Sequence, residues 1–411
     1  MKIVIAPDSF KGSLSSAQVI DRIAQAALDN FPDCEIVRLP MADGGEGTID
    51  ALIEIMQGTV HHFYARDALG REISAKYGVI PPDTAIIEMA AVNGLPQIPP
   101  EARNPLYTSS YGTGQMIRQA LQKGFSHIIV TIGGSATNDG GIGAMSALGV
   151  DFLDCHGAPL KPVGMNLENI CDIHTEGLDP LLKKARITVM CDVDNPLLGP
   201  NGATYMYGTQ KGGTTEILDR LENGMKNYAD VLEEKLGISI HQLPGGGAAG
   251  GISAALVAFT GAKLQSGITT VLDTIHFQDI LKDADLVITG EGRLDRQSFC
   301  GKVIHGIGDA CRKSHVPVIA IVGGIDRDIQ LDYADVVNSI MVTVDGAIGL
   351  PEALSHADTL LTGAADRMFK MIKVGMELSK SNTQVNKEDS YENKQASLSA
   401  GSRSAFCGHQ N

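Results

Sequence analysis

Five times along the 411-residue chain an apolar run of four to six residues stops in a loop of glycines, carboxylates and hydroxyls. That punctuation restricts the fold more than any other feature. Ile3 to Ala6 reads as a buried strand, and residues 15–28 as a helix with Val19, Ile20, Ile23, Ala26 and Ala27 on one face. Ile36 to Leu39 and the segment from Gly47 to Met56 repeat the pair. This order predicts parallel strands with functional loops at their carboxyl ends. The rhythm returns late, with strands at Leu286 to Thr289, Val318 to Val322 and 339–344, and helices over 302–314 and 357–374. The two ends of the chain are therefore expected to build one sheet.

The middle is more mixed. Extended segments at Val60 to Tyr64 and Ile73 to Tyr77 flank the turn Ala68-Leu69-Gly70-Arg71, and Ala85 to Met89 follows Pro81-Pro82-Asp83. Strands at 127–132 and 187–191 alternate with helices at about 113–123, 140–148, 215–236 and 250–259. The expected fold class is α/β with two α/β domains. A Rossmann-like three-layer domain comprises residues 1–62 and 284–378, and a second α/β domain, 63–283, is inserted in the middle. From about Ser379 the chain turns to Ser, Asn, Gln, Lys and Glu. It then holds too little apolar surface to offset the entropy of ordering, so 379–411 is expected to be a disordered polar tail.

Composition excludes several functions. A net charge of -15 argues against nucleic-acid binding through a general basic field. No window approaches the roughly 20 apolar residues of a membrane span, and Met1 leads straight into a strand rather than an export signal. Seven cysteines, at 34, 155, 171, 191, 300, 311 and 407, show no Cys-x-x-Cys spacing. Reduced thiols in a cytoplasmic protein are expected.

The chemistry is concentrated in the loops. Ala6-Pro7-Asp8-Ser9-Phe10-Lys11-Gly12-Ser13 precedes a helix, where amides and the helix dipole favour an anion that Lys11 could reach; alternatively Ser13 or Ser15 simply caps the helix. Asp43-Gly44-Gly45-Glu46-Gly47 joins close backbone approach to hard oxygen ligands suited to Mg²⁺ or to hydroxyls. Gly133-Gly134-Ser135-Ala136-Thr137-Asn138-Asp139-Gly140-Gly141 reads as a polar cradle for a phosphorylated or polyhydroxylated ligand, or as a long turn. Cys191-Asp192-Val193-Asp194-Asn195-Pro196 offers a carboxylate at a strand end, a candidate general base. Gly290-Glu291-Gly292-Arg293-Leu294-Asp295 offers carboxylates for a metal or ribose and a guanidinium for an anion, unless Arg293 pairs with Asp295. Gly245-Gly246-Gly247-Ala248-Ala249-Gly250 fits G-x-G-x-x-G, but no buried strand precedes it, and close packing explains its glycines as well. A P-loop signature is absent.

In this order the loops resemble the bacterial glycerate kinase family, type 1. Its members share blocks like Ala6-Pro7-Asp8-Ser9-Phe10-Lys11, Ala42 to Gly47, Gly133 to Gly141 and Gly290 to Asp295. The resemblance covers residues 1–376 and includes Tyr111-Gly112-Thr113-Gly114, Asn195-Pro196-Leu197 and Gln210-Lys211-Gly212. It implies ATP, Mg²⁺ and D-glycerate as ligands, 2-phosphoglycerate as product, and a site in a cleft between two α/β domains. On that basis Asp192 is expected to orient or deprotonate the glycerate hydroxyl, with Lys11 and Arg293 as the other catalytic residues. Lys11 and the amides near Ser9 would hold phosphate, while Asp43 and Glu46 would hold Mg²⁺. Asp8, Ser9, Gly44, Gly45, Gly47, Gly290 and Glu291 would contact the nucleotide. Arg293, Ser135, Thr137, Asn138, Asp139 and Asn195 would contact the acid. All are expected to converge on one pocket. A metal-assisted phosphatase and an inert ligand-binding sensor stay open as alternatives, as does homo-oligomerisation.

Overall fold

A computed structural model describes residues 1–42, 48–295, 298, 302–326 and 335–379. Asp43, Gly44, Gly45, Glu46 and Gly47, and the tail from 380 onward, lie outside the described residues. The strands are β1 (Lys2–Ile5), β2 (Glu35–Arg38), β3 (Thr59–Arg66), β4 (Glu72–Ile80), β5 (Thr84–Glu88), β6 (His127–Thr131) and β7 (Asp151–Leu153). They continue with β8 (Asp172–His174), β9 (Arg186–Met190), β10 (Lys263–Gln265), β11 (Leu286–Glu291), β12 (Val318–Val322) and β13 (Ser339–Val342).

The two ends of the chain do build one sheet, in the order β2-β1-β11-β12-β13 with every pairing parallel. Ile3 stands opposite both Leu286 and Ile36. Parallel neighbours need a crossover, and helices supply it: Ser16–Asn30 returns β1 to β2, and Val303–Ser314 returns β11 to β12. Because side chains alternate across a strand, Ile3, Ile5, Leu286 and Ile288 face one way. They pack on Val19, Ile20 and Ile23 of the first helix and on Leu361, Ala365 and Phe369 of a helix over 357–379. Val4, Val287, Val318 and Ala320 face the other way. The first helix begins at a capping box, Ser15 accepting from the Gln18 amide while the Gln18 side chain accepts from the Ser15 amide. This assigns the cap to Ser15 rather than Ser13.

The second sheet runs β10-β9-β6-β5-β4-β3. Its first four strands are parallel, and β4 and β3 extend them as an antiparallel hairpin. Asp67 fixes the hairpin turn by accepting from the Leu69 and Arg71 amides. Ile86, Ile129 and Met190 of this sheet share one apolar cluster with Val4 and Val287 of the other, joined by Leu52, Ile268, Val271 and Ile307 on intervening helices. The helices Thr48–Met56, Gly267–Thr274 and Val303–Ser314 thus form a layer common to both sheets. Sequence reading found the longer elements and missed β7, β8 and β10, each three residues long, and the helices Ala90–Asn93, Ala203–Tyr207, Gly267–Thr274, Phe277–Leu281 and Leu350–Ser355. Such short pieces carry too few residues to display a period.

One close approach fixes the helices beneath the β6 loop. Gly114, in the helix Tyr111–Gln122, faces the helix Ile142–Ala147 so closely that a Cβ would sit 2.2 Å from the Ala144 carbonyl oxygen. Alanine is the better helix former by about 1 kcal/mol, but overpacking of this kind costs about 1–3 kcal/mol. Gly114→Ala is therefore expected to lower the urea-unfolding free energy by up to about 2 kcal/mol. A variant more stable than the parent would show that propensity, not packing, governs this position.

Candidate functional site

The glycine-rich segment after β6 is built around Asp139, which is fully buried. Its carboxylate accepts from the Ser110 amide (2.7 Å), the Ser110 hydroxyl (2.8 Å) and the amides of Gly141 and Gly143 (3.2 Å each). Burial pushes the Asp139 pKa up while these donors pull it down. The carboxylate thereby ties the loop to the starts of the helices Tyr111–Gln122 and Ile142–Ala147. Asn93 secures the other side, accepting from the Thr113 amide and hydroxyl and donating to the Ser109 carbonyl. A second glycine segment closes over the loop: a Cβ on Gly250 would lie 2.0 Å from the Thr137 oxygen, and one on Gly247 2.2 Å from the Pro196 oxygen. The 245–250 glycines therefore permit backbone to touch backbone, as the packing alternative held.

Above this foundation, at the carboxyl ends of β6 and β9, opens a cavity of about 410 Å³. Gly133, Gly134, Ser135, Asp192, Tyr207, Lys211 and Ala249 are among its lining residues. Asp192 is exposed and its Oδ1 accepts from the Gly267 amide at 2.9 Å, at the start of the helix Gly267–Thr274. Lys211 is 2% exposed, and its Nζ donates to the Thr137 carbonyl at 2.7 Å and the Ser135 hydroxyl at 3.1 Å. Burial drives its pKa down to about 7, against the pull of Asp139. Sequence reading gave Lys211 no role. Its one signal was the Gln210-Lys211-Gly212 block within the resemblance.

A second cavity, of about 640 Å³, lies at the carboxyl ends of β1, β11 and β12. Asp8, Ser9, Lys11, Ser13, Glu291, Arg293, Asp295, Lys302, Asp326 and Thr343 contribute its polar lining. Ile325, Val344, Ile348, Leu350 and Leu354 form an apolar wall, and Leu350 remains 69% exposed on it. The Asp8 amide donates to the Gly290 carbonyl at 2.8 Å, which joins the β1 and β11 loops. Glu291 is 8% exposed and its Oε1 is buried with no hydrogen-bond partner among the described residues. Burial, aided by Asp8 and Asp295 and opposed by Ser298 and Lys302, raises the Glu291 pKa to about 7.

The expected residues thus divide between two cavities instead of converging on one. Asp192 and Ser135 line the first; Asp8, Ser9, Lys11, Glu291 and Arg293 line the second. Arg293 does not stand with Ser135 and Asn138: its guanidinium pairs with Asp326, not with Asp295. Thr137, Asn138 and Asp139 are fully buried and line neither cavity. Asn138 donates to Thr204, and the Thr137 carbonyl holds Lys211. Asn195 is also a support, donating to the Asn201 carbonyl and accepting from Tyr207, which does line the cavity. Gly290 is a packing residue in β11, where a Cβ would meet the Ile321 oxygen at 2.2 Å. The metal-ligand expectation for Asp43 and Glu46, and the nucleotide expectation for Gly44, Gly45 and Gly47, fall outside the described residues. Among the described residues no three His, Cys, Asp or Glu side chains group as a metal site, and no helix is long and apolar enough to cross a membrane.

The glycerate kinase family model matches residues 3–373. The chain is 42% identical over 377 residues to a glycerate 2-kinase of Escherichia coli K12, covering 92% of this chain and 99% of that one. It is likewise 42% identical to a glycerate kinase of Bacillus subtilis 168, covering 91% and 98%. A crystal structure assigned as glycerate kinase 2 from Salmonella typhimurium LT2 superposes with a TM-score of 0.83 at 42% identity, covering 92% and 99%. An α/β protein with loops at the carboxyl ends of two sheets is the class the fold defines. The chain belongs to the glycerate kinase family.

Glu291 supplies a pH test that needs no substrate. An unfolded glutamate titrates near 4.5, whereas native Glu291 holds its proton up to about 7. The native state is therefore the more protonated between those values, and stability falls as pH rises through that window. Glu291→Gln is expected to flatten the loss, and at pH 8 to unfold at higher urea than the parent, by about 2–3 kcal/mol. Equal pH profiles for the two proteins would refute the buried-carboxyl assignment.

Proposed function

We propose that the chain transfers the γ-phosphoryl group of ATP to the 2-hydroxyl of D-glycerate, with Mg²⁺, giving 2-phospho-D-glycerate. The observation that carries this reading is the division of polarity between two cavities in a chain of this family. The larger cavity combines the cations Lys11, Arg293 and Lys302 and the carboxylates Asp8, Glu291, Asp295 and Asp326 with an apolar wall, which suits a polyphosphate with its divalent cation joined to a flat base. The smaller has, among the described residues, a single cation and a single carboxylate, which suits a small hydroxy acid. In this reading residues 1–62 with 284–378 hold the nucleotide and 63–283 hold glycerate.

Phosphoryl transfer asks for positioning and for neutralisation of phosphate charge. Lys11 and Lys302 meet the phosphates, and Arg293, already paired with Asp326, lies along the same wall. Asp192, held by the Gly267 amide, accepts the proton of the glycerate hydroxyl as it attacks. The residues present fit Mg²⁺: Glu291 offers a buried oxygen beside Asp8 that has no partner among the described residues, and Mg²⁺ commonly uses one or two carboxylates with substrate phosphates. Asp43 and Glu46, which follow β2 in the sequence, would complete that set. When bound, the ion would neutralise the β- and γ-phosphate oxygens.

Coupled ADP release with D-glycerate, followed by identification of the phosphoglycerate isomer, tests the activity. ADP release that depends on D-glycerate and is abolished by EDTA is expected; phosphate release from phosphoglycerate without ATP would point to a hydrolase instead. Asp192→Asn is expected to lower kcat by about 10²–10⁴ with little change in the KM for ATP. Full turnover by that variant would remove Asp192 as the base.

A further inference from the structure

Among the described residues, Lys211 is the only cation lining the smaller cavity, and Asp192 the only carboxylate. The lysine closes the short helical turn Thr209–Lys211, and Gly212 follows with a φ of 93°. A Cβ on Gly212 would lie 2.2 Å from the Arg103 oxygen, so the backbone behind Lys211 is pinned against another segment. Its ammonium carries three N–H donors; two are taken by the Thr137 carbonyl and the Ser135 hydroxyl. Both acceptors are neutral. Burying a cation with neutral partners alone is unfavourable, and Asp139 acts on it through space without contact, its own oxygens engaged by Ser110, Gly141 and Gly143. Holding the loop together would need only a neutral donor.

We propose that Lys211 is the carboxylate anchor of the acceptor site: with the Ser135 hydroxyl it binds the carboxylate of the hydroxy acid and presents the hydroxyl to Asp192. The proposal rests on the phosphorylation reading above and specifies how that cavity selects an acid over a neutral polyol. It replaces Arg293, which lies in the other cavity, in the anion-binding role. An incoming carboxylate supplies the missing counter-charge through a charge-assisted hydrogen bond, strong in a desolvated setting.

The test is calorimetric titration of wild type, Lys211→Met and Lys211→Arg with D-glycerate and separately with ATP, beside thermal melts. Lys211→Met is expected to bind D-glycerate about a hundredfold more weakly and ATP within about twofold of wild type, and to lose the preference for D-glycerate over glycerol as acceptor. Asp139 from the β6 loop acts on the ammonium, and the titratable groups that line the cavity with it are Cys191 and Asp192 after β9 and Tyr207 from the helix Ala203–Tyr207. With burial holding the free lysine near 7, wild-type affinity for D-glycerate is expected to weaken as pH rises above that value, by up to about tenfold per unit. Lys211→Arg, which keeps its charge, is expected to bind without that dependence. Unchanged D-glycerate affinity in Lys211→Met, or an equal loss for ATP, overturns the assignment. Should Lys211→Met fail to fold, a wild-type affinity flat from pH 6 to 9 does the same. Wild type that neither binds nor phosphorylates D-glycerate sinks the parent reading instead.

Discussion

A fully buried carboxylate fixes the floor of the smaller cavity. Asp139 accepts four hydrogen bonds from Ser110, Gly141 and Gly143, which holds a glycine-rich loop in one conformation against two helix starts. A carboxylate in such a place is tolerated only because its lone pairs are satisfied. Its charge in turn favours the protonated form of Lys211. The polarity of the cavity floor is therefore set by a residue that never reaches the cavity.

The two cavities depend on a shared layer. Helices Thr48–Met56, Gly267–Thr274 and Val303–Ser314 pack Leu52, Ile268, Val271 and Ile307 against strands of both sheets. The loops after β6 and β9 and those after β1 and β11 thus stand on one continuous apolar body. The amide of Gly267, at the head of one of these helices, holds Asp192. The carboxylate of the smaller cavity is oriented by the same layer that supports the larger one.

Much of the fold was legible because long elements repeat their periods. The helix Thr215–Leu236 and strand Val318–Val322 fall where the pattern puts them, and the joining of both chain ends in one sheet was expected from strand-loop-helix order at each end. The site was legible only in part. Glycine, carboxylate and hydroxyl clusters identify loops, yet the pattern is silent on which polar groups face inward. Asn138 and Asp139 looked like ligand contacts and proved to be internal supports. Lys211 looked unremarkable in a Gln-Lys-Gly turn and proved to line a cavity.

Sequence by itself determined the order of the longer elements, the parallel character of the sheet built from the two chain ends and the positions of the functional loops. These follow from local periodicity, from the crossovers that parallel strands require, and from glycine's tolerance of positive φ. Tertiary structure alone decided the rest: two cavities rather than one, Arg293 paired with Asp326, and a lysine desolvated beside Ser135. Those outcomes depend on burial and on distances between segments remote in the chain, and a side chain's charge and reach take their meaning from surroundings that no local pattern encodes.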